Sequence, residues 1–87
     1  MEILELDARE LSYPEPLERS VQILHRLDGF NCFHLTIHRY PRPLLMIAEK
    51  LGIDFEVCGS DEGGWHILFS KGGGEDLREL MKRYCSV

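Results

Sequence analysis

The sequence predicts an α+β fold. It would be a two-layer α/β sandwich of βαβαββ order, with a four-stranded mixed sheet, two helices on one face and an extra C-terminal helix. Three observations predict it. Apolar and polar residues alternate with a period of two at 33–39, 53–57 and 65–69. Two amphipathic helical stripes separate the first three strands. Those two helices can bury their stripes only on a common sheet, and right-handed crossovers place both on the same face.

Glu2 to Leu6 read as a strand ending at Asp7. A helix then spans Pro14 to Asp28. Pro14 and Pro16 fit its first turn, where the N–H that proline lacks would have no intrahelical partner. A capping box from Ser12 to Glu15 is the competing register, but it sets Pro16 one position too deep. Leu17, Val21, Leu24 and Leu27 form the apolar stripe, and Gly29 is placed to end the helix.

In the next strand Phe33, Leu35 and Ile37 face one way, and His34, Thr36 and His38 face the other. This predicts a strand covered on one side, with its histidines on a solvated face. Tyr40-Pro41-Arg42-Pro43 stiffens the connection that follows. Leu44, Ile47, Ala48 and Leu51 form the second helical stripe, stopped by Gly52. Ile53 to Val57 and Trp65 to Phe69 are the last two strands, joined by the turn-forming Ser60-Asp61-Glu62-Gly63-Gly64. The predicted core comprises Leu4, Leu6, Phe33, Leu35, Ile37, Phe55, Val57, Ile67 and Trp65 or Phe69. Its roof comprises Leu17, Val21, Leu24, Leu44, Ile47 and Leu51. Residues 1–71 form this domain. Residues 72–87 are a glycine linker, Gly72 to Gly74, and an amphipathic helix carrying Leu77, Leu80, Met81 and Tyr84. That helix is expected to dock loosely, on the open sheet face or against another chain.

Eighty-seven residues make one domain, which buries roughly 60–65 % of the surface of its unfolded chain. No cofactor is expected in a core of this size. A net charge of −5 argues against nucleic acid, whose phosphates need a basic face. The acidic N-terminus lacks a leader pattern, and no apolar run approaches the roughly 20 residues of a membrane helix. Cys32, Cys58 and Cys85 are odd in number and widely spaced, so no disulfide framework is implied and a cytoplasmic location is expected.

The stretch Leu6-Asp7-Ala8-Arg9-Glu10-Leu11-Ser12-Tyr13-Pro14-Glu15-Pro16-Leu17 resembles the signature of the TusA (SirA-like) family, L-D-x-x-G-x-x-C-P-x-P. Members of that family are small bacterial sulfur carriers whose motif cysteine carries a persulfide to a partner enzyme. Tyr13 stands in the place of that cysteine and Glu10 in the place of the glycine. A closer likeness is to an uncharacterised TusA-like branch, with L-D-x-R-x-L-x-P-P-E-P-L early and H-x-x-P-R-P-L in the middle. His38-Arg39-Tyr40-Pro41-Arg42-Pro43-Leu44 fits the second segment. The likeness spans about Leu4 to Lys71. It implies the sheet order 1-2-4-3. Some relatives are fused to hemerythrin-like or cupin domains, which implies redox or nitrogen-oxide physiology.

The candidate surface is therefore Arg9, Tyr13, Pro14, Glu15 and Pro16 with His38, Pro41, Arg42 and Pro43. The tyrosine cannot relay sulfur, because a phenol oxygen forms no persulfide. His34 and His38 lie roughly 13–14 Å apart along a strand, too far to share a metal. No metal site is expected, with His38 and His66 the weak candidates. These features lead to three expectations. The first is a non-enzymatic interaction or regulatory module linked to redox or sulfur metabolism, a monomer or weak homodimer with a protein partner. The second is a sulfur carrier or transferase using Cys58 or Cys32. The third is a small-ligand or metal sensor working through surface histidines.

Overall fold

Two parallel strands and an antiparallel hairpin make the sheet. The computed structural model describes residues 2–72 and 76–85, so Gly73 and Gly74 of the expected linker lie outside the described residues. The elements are β1 (Glu2–Asp7), α1 (Glu15–Leu24), β2 (Asn31–Ile37), α2 (Arg42–Lys50), β3 (Ile53–Ser60), β4 (Gly64–Lys71) and α3 (Leu77–Met81). The strands lie in the order β1-β2-β4-β3. β1 runs parallel to β2, and β4 runs antiparallel to both β2 and β3.

The main core forms between this sheet and the two longer helices. Phe33, Leu35, Ile67 and Phe69 are fully buried at its centre. Phe69 stacks on Phe33 at 5.3 Å and leans on Phe55 at 6.2 Å. Leu4, Leu6, Val57 and Trp65 pack around them, and Leu17, Val21, Leu24, Leu44 and Ile47 roof the layer as the stripes predict. Leu51 is the exception, at 39 % exposed. α2 ends at Lys50, Leu51 is its C-cap, and the chain reverses through Gly52 at φ 72°. Leu45 and Ala48 fill the space instead.

α1 is shorter than the periodicity predicts. It stops at Leu24, because the chain tightens into bonds from Arg26 N–H to the Ile23 carbonyl and from Leu27 N–H to the Leu24 carbonyl. Asp28 and Asn31 then bond to nearby backbone groups, an alternative to helix that short polar side chains favour. Leu27 is still buried, whereas Gly29 belongs to the connection into β2 and not to the helix end.

The second face of the sheet is not solvated along its length. α3 lies across it, started by the Asp76 carboxylate, which accepts from the N–H groups of Arg78 and Glu79. Leu77, Leu80 and Met81 are buried against Cys32 and Leu68, with Ile3, Cys58, Tyr84 and Cys85 packed around them. The helix thus takes the open sheet face, one of the two docking places that the sequence offered. This corrects the solvated face expected for His34, which is buried beneath this layer with 6 % exposure. Cys58 and Cys85 form a disulfide, contrary to the expectation of no disulfide framework. The return of the chain over β3 sets their Cα atoms 6.3 Å apart, inside the bridging range. Sequence spacing cannot show that return.

Candidate functional site

Because β1 and β2 are parallel, they end at the same side of the sheet, and both crossovers leave from there. The N-termini of α1 and α2 therefore meet beyond Asp7 and Ile37. Open α/β sheets commonly bind ligands in this position, outside the carboxyl ends of parallel strands.

A groove of about 560 Å³ occupies it. Arg9, Tyr13 and Pro16 line one side, and His38, Pro41 and Pro43 line the other, so the structure brings six of the nine candidate residues to one place. Pro14, Glu15 and Arg42 belong to the same two turns but do not line the groove. Glu15 is directed along α1, 3.7 Å from Arg19. The candidate surface did not include Leu11, Arg39 and Tyr40, and Leu17 and Leu44, expected in the roof, also line the groove. A signal for them existed. Tyr13-Pro14-Glu15-Pro16-Leu17 and Tyr40-Pro41-Arg42-Pro43-Leu44 share one pattern, Y-P-x-P-L. In each copy the first proline is the N-cap and the second follows in the first turn. The two copies face each other across the groove, and they differ in charge at the middle residue. The Tyr13–Pro14 bond is cis. Tyr13 is 79 % exposed, and Tyr40 meets the Trp65 ring edge-on at 5.1 Å.

Arg9 is fixed at the lip. Its Nε and Nη2 donate to the two Asp7 carboxylate oxygens at 2.9 and 2.7 Å, and its backbone N–H donates to Asp7 Oδ1 at 3.1 Å. These bonds lower the Asp7 pKa to about 2. The groove is thus an apolar trough with the Asp7-paired guanidinium of Arg9, His38 and Arg39 on its rim, and Glu10 as the single acid among the described lining residues.

A second polar constellation lies under α3. The Glu5 carboxylate pairs with His34 Nδ1, and His34 Nε2 is 3.0 Å from His66 Nδ1. Tyr84 stacks on His34 at 3.7 Å. With both rings neutral, His34 donates to Glu5 and accepts from His66. Burial lowers the His66 pKa, and the adjacent His34 lowers it further. Burial likewise raises the Tyr84 pKa. His66 is on the α3 face and His38 is on the groove, so the two weak metal candidates do not converge. Among the described residues no group of three or more histidines, cysteines or acids could hold a metal ion.

The His66 shift has a pH signature. The fold favours neutral imidazole, so its contribution is complete above the ordinary value of 6.5 and is lost as pH falls below it. Urea midpoints should drop between pH 7.5 and 5, and His66→Gln should flatten that drop. Identical pH profiles for the two proteins would refute the assignment.

Among the described residues no helix is long and apolar enough to cross a membrane. The family described as an uncharacterized conserved protein (DUF2249) matches residues 5–71. Neither the curated proteins nor the solved structures contain a match to this chain.

Proposed function

The chain belongs to this uncharacterized family (DUF2249), and from that premise we propose that it is a non-enzymatic interaction module, similar to the TusA family in fold but not in chemistry. It docks a redox or sulfur-handling protein through the groove between the two Y-P-x-P-L turns. It works as a monomer or weak homodimer. The observation that carries this reading is the convergence of both turns on one apolar trough, flanked by two exposed tyrosines. Tyrosine and arginine are the residues that most often anchor protein interfaces. Prolines at both helix starts hold the walls in place, so little conformational freedom is lost on binding. Arg39 and His38 on the rim suit a segment that carries a carboxylate beside an apolar side chain.

The second reading, a sulfur carrier, is disfavoured by two features. Cys58 is joined to Cys85, and Cys32 is fully buried. Neither arrangement offers a thiolate at a helix N-terminus. One experiment separates the readings. A photo-crosslinking residue is placed at Tyr13, with a control at Glu49 on the exposed side of α2, and crosslinks are collected in cells. A single partner captured from position 13, absent from position 49 and lost when Arg39→Glu reverses the charge at the exposed rim, is the expected result. Capture that is indifferent to Arg39→Glu would rule out the groove. In parallel the protein is incubated with a cysteine desulfurase and labelled cysteine. Stoichiometric label released by reductant, and abolished by one Cys→Ser change, would move the carrier reading to first place.

A further inference from the structure

The Cys58–Cys85 disulfide spans 27 residues of sequence and ties the turn after α3 to β3, an edge strand. Both cysteines are half-buried at the surface, whereas Cys32 beneath them is fully buried. α3 has five helical residues, far fewer than an isolated helix needs in water. Its position therefore depends on what it covers and on the bond that holds it. What it covers differs from the main core. Beside Leu68 and Cys32 lies the Glu5–His34–His66 chain, roofed by Tyr84, the residue before Cys85. Once uncovered these groups hydrogen-bond to water instead, which offsets part of the cost of exposing Leu68, Leu77, Leu80 and Met81. Cys58 stands directly opposite His66 in the β3–β4 ladder, so both side chains share the α3 face.

We propose that Cys58–Cys85 is a reversible thiol-exchange site for a dithiol reductant, and that its reduction releases α3 and uncovers the Glu5–His34–His66 face. The site shares no residue with the groove. A thiolate of the reductant attacks Cys85 Sγ, a new S–S bond forms, and the Cys58–Cys85 bond breaks. The electron pair leaves on Cys58 Sγ, which takes a proton beside His66. The second thiol of the reductant then attacks the mixed disulfide and frees Cys85. The reductant departs as its own disulfide, having given two electrons and two protons to the protein. With the loop open, α3 loses the closure entropy that favoured the docked state.

The test uses the full chain under native conditions, with dithiothreitol as the probe. Alkylation and mass measurement report reduction at Cys58 and Cys85. Trypsin cleavage after Arg78, Lys82 and Arg83 reports release of α3. Reduction is expected to raise that cleavage by on the order of 10²-fold, the factor that loop-closure entropy gives for a loop of this length. Cys85→Ser should reproduce the rise without reductant. The His34 and His66 resonances should lose the ring-current shift of Tyr84, and the His66 titration should move upward as its cover leaves. Trp65 fluorescence should stay native throughout. Three results would overturn the proposal: a bond that dithiothreitol cannot reduce in the folded protein, cleavage and histidine signals unchanged after reduction, or loss of the Trp65 signal on reduction. The last would make the bond a staple of the whole fold. Because the readout on reduced wild type is independent of the variant, poor folding of Cys85→Ser would not remove the test.

Discussion

Phe69→Ala lowers the unfolding free energy by about 3–5 kcal/mol. Phe69 is fully buried on β4, between Phe33 at 5.3 Å and Phe55 at 6.2 Å, so its removal opens a cavity across three strands. The neighbours cannot close that cavity, because each is fixed in register with the ring that is lost. A domain of this length has a total stability of about 4–13 kcal/mol. The variant therefore sits near the limit of folding, with a melting temperature lower by on the order of 10–40 °C. Phe30→Ala is the internal comparison. Phe30 is 82 % exposed, and its loss should cost less than about 0.5 kcal/mol. Urea titrations of both variants check the pair. A cost below about 1 kcal/mol for Phe69→Ala would mean that this ring is not at the centre of the core.

Gly59→Ala should cost about 2–5 kcal/mol, from backbone strain and overpacking together. Gly59 sits at φ 126°, and a Cβ there would clash with the Gly64 carbonyl oxygen and lie 3.0 Å from the Trp65 Cα. Both obstacles are backbone atoms, so no side-chain rotation relieves them. The hairpin between β3 and β4 must splay at its tip. Trp65, whose indole N–H donates to Asp61 at 2.7 Å, would then lose its native environment. The change should appear as a red-shifted tryptophan emission together with lower stability. Gly63→Ala, whose nearest new contact is Ser60 Oγ at 3.6 Å, should leave both nearly unchanged. Equal effects at the two glycines would contradict this hairpin geometry.

The candidate groove was half legible before the structure. The two proline turns were visible as motifs, because proline at a helix start has a local cause and leaves a local mark. Their meeting was not visible. It follows from β1 and β2 being parallel neighbours, which brings Tyr13 and Tyr40 to the same edge although they lie in different βα units. The Glu5–His34–His66 cluster was less legible still. Alternation correctly set His34 opposite Phe33 and Leu35, but period-two logic assigns a face and says nothing of what later covers it.

The sequence by itself determined the elements, their order and the apolar face of each, because helix stripes, strand alternation and turn residues act within a few positions. It also determined that Tyr13 cannot do the chemistry of a thiol, because that depends on the identity of one atom. Only the tertiary structure decided where α3 docks, that His34 is buried and that Cys58 joins Cys85. Each of these depends on contacts between segments far apart in the chain. Such contacts form only once the sheet exists to receive them, and no local periodicity encodes them.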